Sequence, residues 1–401
     1  MIRLDQIRAI VRPTSSKIVL VVIDGLGGLP HPEKGRTELE SAKTPNLDRL
    51  AREAICGMID PVAPGITPGS APGHLALFGY DPLQFTVGRG VLEALGIDLE
   101  LKAGDVAARG NFCTVDESGV LTDRRAGRIP TEVCTELCQL LDGMNIEGVA
   151  VLVSPVREHR FTAVFRGDGL FSELSDSDPQ REGVPPNDVI FHSPQAEKAA
   201  SIANEFIAKA RATLAERHPA NMVLLRGFAH YPDFPKMSEV FSLKPAAIAA
   251  YPMYRGLAKV VGMEVLPTGA TIEEELTTLA EHYDSYDFFF LHIKQADSAG
   301  EDGDFERKVR VIEEADSALP RLIDLNPDVI VVTADHSTPA VLKGHSWHPV
   351  PLLLRSKWCR RDTVQEFSER ACSFGSLGRF CGTQVMPLAL ANALKLNKFG
   401  A

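Results

Sequence analysis

The 401-residue sequence lacks any apolar run near the roughly 20 residues that a membrane-spanning helix needs. Its most apolar stretches, residues 18–23 and 288–291, are far shorter, so no membrane partner is expected. The opening MIRLDQIRAIVRP has no apolar h-region, and no signal peptide is expected. Seven cysteines (Cys56, Cys113, Cys134, Cys138, Cys359, Cys372 and Cys381) lie scattered, with no CxxC pair. That usage predicts reduced, structural thiols and a cytoplasmic location. Basic residues are in deficit, 42 Lys plus Arg against 53 Asp plus Glu, for a formal net charge of −11. Phosphate backbones would meet net repulsion, which excludes a nucleic-acid partner held by bulk electrostatics. Gly25, Gly27 and Gly28 fail the GxGxxG spacing, so no dinucleotide fingerprint is present. There is no internal repeat and no low-complexity tract. What remains is 44% hydrophobic and 24% charged, a globular composition that excludes disorder as the dominant state. The length supports a large core and two domains.

Residues 17–23 (KIVLVVI), 287–293 (DFFFLHI) and 328–333 (DVIVVT) are continuous apolar runs that predict buried parallel strands. Helices are predicted over 44–54, where Leu47, Leu50 and Ala51 share a face behind Pro45, and over 305–322. Strand–helix–strand alternation argues for an α/β sheet. The middle reads differently: short strands at 148–153 and 160–165, loops at Asp178-Pro179 and Pro185-Pro186, a helix over 194–216 and a strand at 221–225. This predicts an α+β insertion inside a parallel-sheet domain.

Three predicted strands end in ligand-type residues: Asp24, Asp297 a few positions on, and Asp335-His336. Sites in open α/β sheets gather at the carboxyl ends of strands, and Asp with His suits divalent metals. A lone Asp-Gly reads as a turn; three such ends together read as a site. HSWHP adds His345 and His348. Asp297 and Glu301 stand four apart, so both can face one ion, while Asp302 and Asp304 read as solvated or supporting. In GITPGSAPGH, Ser70 sits in a Gly/Pro-rich loop before a helical LALFGY. Such a serine can project its Oγ to a ligand; His74 is the one local base, and a metal could deprotonate the hydroxyl instead.

These pieces resemble the alkaline phosphatase superfamily: Asp24-Gly25, TPNLDRLA, Gly69-Ser70 with HLALFGYDP, Asp297, ADH at 334–336 and HSWHPVP from His345. Within it the chain is similar to cofactor-independent phosphoglycerate mutases of the archaeal type. GRGVLEALG, RGNF, DRRAGR, EHR, SDSDP, YRGLA and the terminal KFGA extend the likeness over nearly the whole chain, and HLALFGYDP and DRRAGR are its most specific parts. The resemblance implies an α/β fold: an alkaline-phosphatase-like core with a mostly parallel sheet flanked by helices, over 1–95 and 250–401, plus an inserted α+β lid domain over 96–249.

It also implies interconversion of 3-phosphoglycerate and 2-phosphoglycerate through a phosphoserine, with two divalent ions. Manganese is expected first, with zinc, cobalt or magnesium as alternatives. Ser70 becomes the nucleophile. One ion would use Asp24, Ser70, Asp335 and His336; the other would use Asp297, Glu301 and His345. The family usually has His where this chain has Glu301, and a small acidic or polar residue at His348, so either His348 replaces the missing imidazole or Glu301 binds directly. The serine loop departs too, with Ala71-Pro72-Gly73 where the family often carries Asp. Substrate contacts fall on Arg124, Arg125 and Arg128 of DRRAGR, His159 and Arg160 of EHR, and Arg255, because Arg suits carboxylate and phosphate. Asp123 would orient an arginine or assist proton transfer. Two other readings stand beside this one: another phosphoryl-transfer enzyme, phosphatase or phosphopentomutase-like, and a metal-free binding protein on the same fold.

Overall fold

The computed structural model describes residues 3–400. The chain divides into two compact units. The first comprises the chain up to Thr86, Phe234–Tyr254 and everything from Ala258; the second comprises Val87–Asp233 with Arg255–Leu257.

The first unit is built on an eight-stranded sheet. Its order is Glu264–Val265, Pro245–Ile248, Phe288–Ile293, Ile18–Ile23, Val329–Thr333, Val350–Ser356, Ile55–Asp60, Gly378–Cys381. All neighbours are parallel except Val350–Ser356, which runs antiparallel to both of its partners. Ile18–Ile23, Phe288–Ile293 and Val329–Thr333 are buried at every position. A parallel strand with both faces covered has no polar side, which is why these runs were legible. The Phe305–Asp324 helix begins where the Asp304 side chain accepts the Arg307 N–H, and it buries Val309, Ile312, Ala315, Leu319 and Leu322. Leu47, Leu50 and Ala51 of the Pro45–Glu53 helix are buried as expected. No helix among the described residues is long and apolar enough to cross a membrane.

The second unit has a six-stranded antiparallel sheet: Leu121–Asp123, Val106–Val115, Arg160–Arg166, Val149–Arg157 and Met144–Ile146, with Met222–His230 on the other side of Val106–Val115. Its core includes Phe112, Phe161, Phe206 and Leu224, drawn from the sheet and from the Glu197–Leu214 helix. The expected joints were at 95/96 and 249/250; the compact units meet at 86/87 and 233/234. The difference at the first joint is the Arg89–Gly96 helix, buried from Gly90 onward. It lies so close on the second unit's sheet that a Cβ at Gly90 would overlap the Ala107 carbonyl.

Candidate active site

Three adjacent parallel strands deliver their ends to one edge of the first unit's sheet. Ile18–Ile23 runs into Asp24, and Val329–Thr333 into Asp335 and His336. Phe288–Ile293 leads to the Gln295–Asp302 helix, which carries Asp297. Gly25 turns the first of these ends with φ +67°, and a Cβ there would lie 2.8 Å from the Asp297 Cα.

Asp24, Asp335 and His336 form one fully buried group, with ligand atoms within 4.8 Å of one another. His336 Nε2 is 3.4 Å from Asp24 Oδ1 and 3.0 Å from Asp335 Oδ2. Both carboxylate oxygens are buried, yet neither takes part in a hydrogen bond. Buried anionic oxygens without donors are costly, and a cation among them removes that cost. The residues therefore fit a divalent ion on their own chemistry. The tautomer fits as well. Thr338 Oγ1 donates to Asp297 Oδ1 at 2.7 Å and accepts from His336 Nδ1 at 2.9 Å, so His336 Nε2 carries the lone pair. Ser70 Oγ lies 3.2 Å from that Nε2 and donates to it.

Asp297, His336 and His345 form a second group, their ligand atoms also within 4.8 Å of one another. His336 uses its Nδ1 on Thr338, which leaves Asp297 and His345 as its members. His345 Nδ1 donates to the Pro68 carbonyl at 2.9 Å, so its Nε2 faces Asp297 Oδ1 at 3.5 Å and Glu301 Oε1 at 3.8 Å. Burial would lower the His345 imidazole, but Asp297 pushes it up to about 9. Burial would raise the Asp297 carboxyl, but His345, Lys294 and His336 hold it well below the usual range. Glu301 sits at the exposed rim of this group, one turn on from Asp297 on the same helix. His348 joins neither group. Its Nδ1 is 3.0 Å from Ser346 Oγ and its ring stacks on Trp347.

Ser70 opens a helix, Ser70–Leu77, rather than lying in a loop ahead of one. Pro72 is tolerated in its first turn because no backbone donor is needed there. The helix start has no side-chain cap, which leaves its first N–H groups for an anion. Gly73 lets it approach the strand end: a Cβ there would overlap the Asp335 carbonyl. His74 is no base for Ser70 Oγ, since its Nδ1 donates to the Ser70 carbonyl at 2.8 Å. Lys294 Nζ is 3.2 Å from Asp24 Oδ2 and is hydrogen-bonded to Asp297 Oδ2, one cation between the two groups. Burial would lower its ammonium, but those two carboxylates hold it above the ordinary lysine range.

The second unit carries a basic cavity of about 190 Å³. Arg109, Arg124, Arg125, Arg160 and Arg226 line it with Asn111, His159 and Gln180, and no carboxylate does. Register builds it: Arg109 stands opposite Arg226, and Asn111 opposite Arg160. Carboxylates brace it from behind. Arg124 donates to Asp178 through Nε at 2.9 Å and Nη2 at 2.7 Å, and Arg226 Nη1 is 3.7 Å from Asp178. Buried Glu93 lies 3.5 Å from Arg109 Nη1. Arg109 is itself buried, its Nε and Nη1 make no hydrogen bond, and burial lowers its guanidinium to about 9. Unpaired guanidinium donors of this kind bind small anions.

The chain has full-length relatives. A Thermosipho africanus protein, named as a probable 2,3-bisphosphoglycerate-independent phosphoglycerate mutase, is 51% identical over 397 residues and covers 98% of each chain. The chain belongs to the 2,3-bisphosphoglycerate-independent phosphoglycerate mutase family. The family's model matches residues 51–221. The structure of a protein from Pyrococcus horikoshii is similar at TM-score 0.84 and 31% identity, covering 96% of this chain and 99% of that one. The cofactor-independent phosphoglycerate mutase of Thermoplasma acidophilum is similar at TM-score 0.70 and 30% identity, over 94% and 100%.

Family likeness alone named Arg124, Arg125, His159 and Arg160, which the cavity brings together. It does not bring in three others. Asp123 caps a turn, accepting the N–H of Arg125 and of Gly127. Arg128 lies exposed in that turn, and Arg255 pairs with Asp98 at 2.9 Å. Arg109, Asn111, Gln180 and Arg226 line the same cavity and were not among the residues expected from the sequence. RGNF, quoted as a mutase-family motif but given no role, carries Arg109 and Asn111; Gln180 directly follows SDSDP, and no quoted motif contains Arg226.

His159 offers a pH test within this cavity. Burial and the surrounding Arg160, Arg109, Arg125 and Arg128 lower its imidazole to about 4 from 6.5. The folded state thus binds the proton less tightly than the unfolded chain. Stability is fully present above pH about 6.5 and is lost as pH falls toward 4, at no more than about 1.4 kcal/mol per pH unit for one proton. His159→Gln is expected to lose less stability than wild type between pH 7 and pH 5. Urea midpoints at the two pH values check this, and equal losses would refute it.

Proposed function

We propose that the chain interconverts 3-phosphoglycerate and 2-phosphoglycerate without 2,3-bisphosphoglycerate, through a phosphoserine on Ser70 and with two divalent ions, manganese first. One observation carries this reading: the Ser70 hydroxyl donates to His336 beside two buried carboxylate oxygens that have no donor. Asp24, Asp335 and His336 with Ser70 would hold one ion; Asp297, His345 and Glu301 would hold the other. An all-oxygen-and-imidazole donor set without thiolate suits manganese, magnesium or zinc. Bound ions of this kind lower the pKa of a serine hydroxyl and offset charge on phosphoryl oxygens.

Ser70 Oγ attacks the phosphoryl group in line, and the ester oxygen of the glycerate leaves with a proton. The uncapped helix start and Lys294 stabilise the negative charge gathered there. Glycerate must then stay bound, turn, and take the phosphoryl group back on its other hydroxyl. The arginine cavity supplies the donors for its carboxylate, and the insertion acts as the lid that keeps water from the phosphoserine. Arginines suit this because each can bind a carboxylate through two parallel N–H groups.

A coupled assay with 3-phosphoglycerate, added manganese and no bisphosphoglycerate is expected to show 2-phosphoglycerate forming, and chelation of the metal is expected to stop it. Inorganic phosphate in place of the isomer would turn the reading to a phosphatase. No conversion at all would end it.

A further inference from the structure

Tyr254 is a fully buried residue of the Pro252–Val260 helix. Its ring is clamped. It stacks on His292 at 3.7 Å and 28°, and lies 5.0 Å from the His74 ring. Those two histidines are in turn fixed, His292 by donating to Asp24 Oδ2 at 3.0 Å and His74 by its bond to the Ser70 carbonyl. The hydroxyl is not fixed. Tyr254 Oη is buried and makes no hydrogen bond, and Asp24 and Ser70 are among the groups within its electrostatic reach. A buried hydroxyl without a partner is expensive to keep, and a phenylalanine would fill the same stack without that cost.

Asp24 Oδ2 already accepts from His292 and Lys294. Once a cation takes the free Asp24 Oδ1, the acceptor left to Tyr254 is Ser70 Oγ. We infer that the Tyr254 hydroxyl is the hydrogen-bond donor to Ser70 Oγ while that oxygen carries negative charge, both as it attacks and as it leaves. This rests on the mutase reading of Ser70. In the forward half-reaction the Oγ–P bond forms, the glyceryl O–P bond breaks, and the serine proton ends on the departing glycerate hydroxyl. Tyr254 donates throughout and transfers nothing. That makes it a catalytic residue that touches the reacting oxygen, in a place where a donor to an anion counts for more than one to a neutral group.

Tyr254→Phe in the manganese-loaded full chain isolates the hydroxyl, because the ring and its stack remain. Thermal midpoint and bound manganese are expected to match wild type. Turnover is expected to fall about 10- to 100-fold with KM within about twofold, the range for a hydrogen bond to a charged group. Wild-type turnover, or loss of the metal, would overturn the assignment. Crystals of the manganese-loaded wild type read the bond without any substrate. Oη within about 3.2 Å of Ser70 Oγ supports it, and a separation beyond about 4 Å overturns it whatever the activity. A wild type that makes no 2-phosphoglycerate would sink the mutase reading alone; Tyr254 is then judged on that distance.

Discussion

Ser70→Ala is expected to abolish interconversion, with turnover down by about 10^4-fold or more, while the protein keeps its fold. Removing a nucleophile outright leaves only the effects of binding and charge, and covalent catalysts lose rates of that order. The fold should survive because alanine suits a first helical turn and the Oγ makes one hydrogen bond, to His336 at 3.2 Å. At most one ligand of one metal is lost, so Asp24, Asp335 and His336 should still bind the ion. Three measurements check this: turnover, bound manganese, and the intact mass after exposure to 3-phosphoglycerate. Wild type should gain the mass of a phosphoryl group and the variant should not. A variant that retains more than about one per cent of turnover would mean that phosphoryl transfer does not pass through Ser70.

The residues of the first group were legible because they stand at strand ends. Asp24 directly follows an apolar run, and Asp335-His336 follow another after one residue, so the topology needed only parallel neighbours to bring them together. The Asp297–Glu301 spacing was legible for the same kind of reason, since both lie on one short helix. Proximity in sequence carries no direction: of three histidines in thirteen positions, His336 and His345 fall in the two groups, while His348 lies against Ser346 and Trp347. Lys294 and Thr338 were invisible for another reason. Each bonds to members of the two groups rather than belonging to one, Lys294 to Asp24 and Asp297, Thr338 to Asp297 and His336, and such partners exist only in the folded chain. The arginine cavity depends on register. Arg109 and Arg226 are 117 positions apart and become neighbours only when antiparallel pairing sets them opposite each other. Two like charges in that position repel, and the nearby Asp178 and Glu93 offset part of the cost.

Lys308→Met is expected to destabilise the protein by about 3–5 kcal/mol, the cost of breaking a buried ion pair from one side. Lys308 is fully buried on the Phe305–Asp324 helix. Its Nζ donates to the Gly27 carbonyl at 3.0 Å and the Thr338 carbonyl at 2.9 Å, and lies 3.9 Å from Glu38 Oε1. Methionine fills much of the volume but donates to nothing. Two carbonyls lose their partner, and the Glu38 carboxylate is left with the Ala340 N–H and an Oε2 that already has no partner. The loss is also placed to reach the candidate site. Gly27 lies three residues after Asp24, and Thr338 is the hydroxyl that orients both Asp297 and His336. Manganese affinity should therefore fall along with the guanidinium midpoint. Changing Glu38 at the same time separates charge from packing: Lys308→Met with Glu38→Gln should recover part of the loss, because the unpaired buried charge is gone. A single-variant loss below about 1 kcal/mol, or a double variant no more stable than the single, would show that the pair is not what holds this loop under the metal groups.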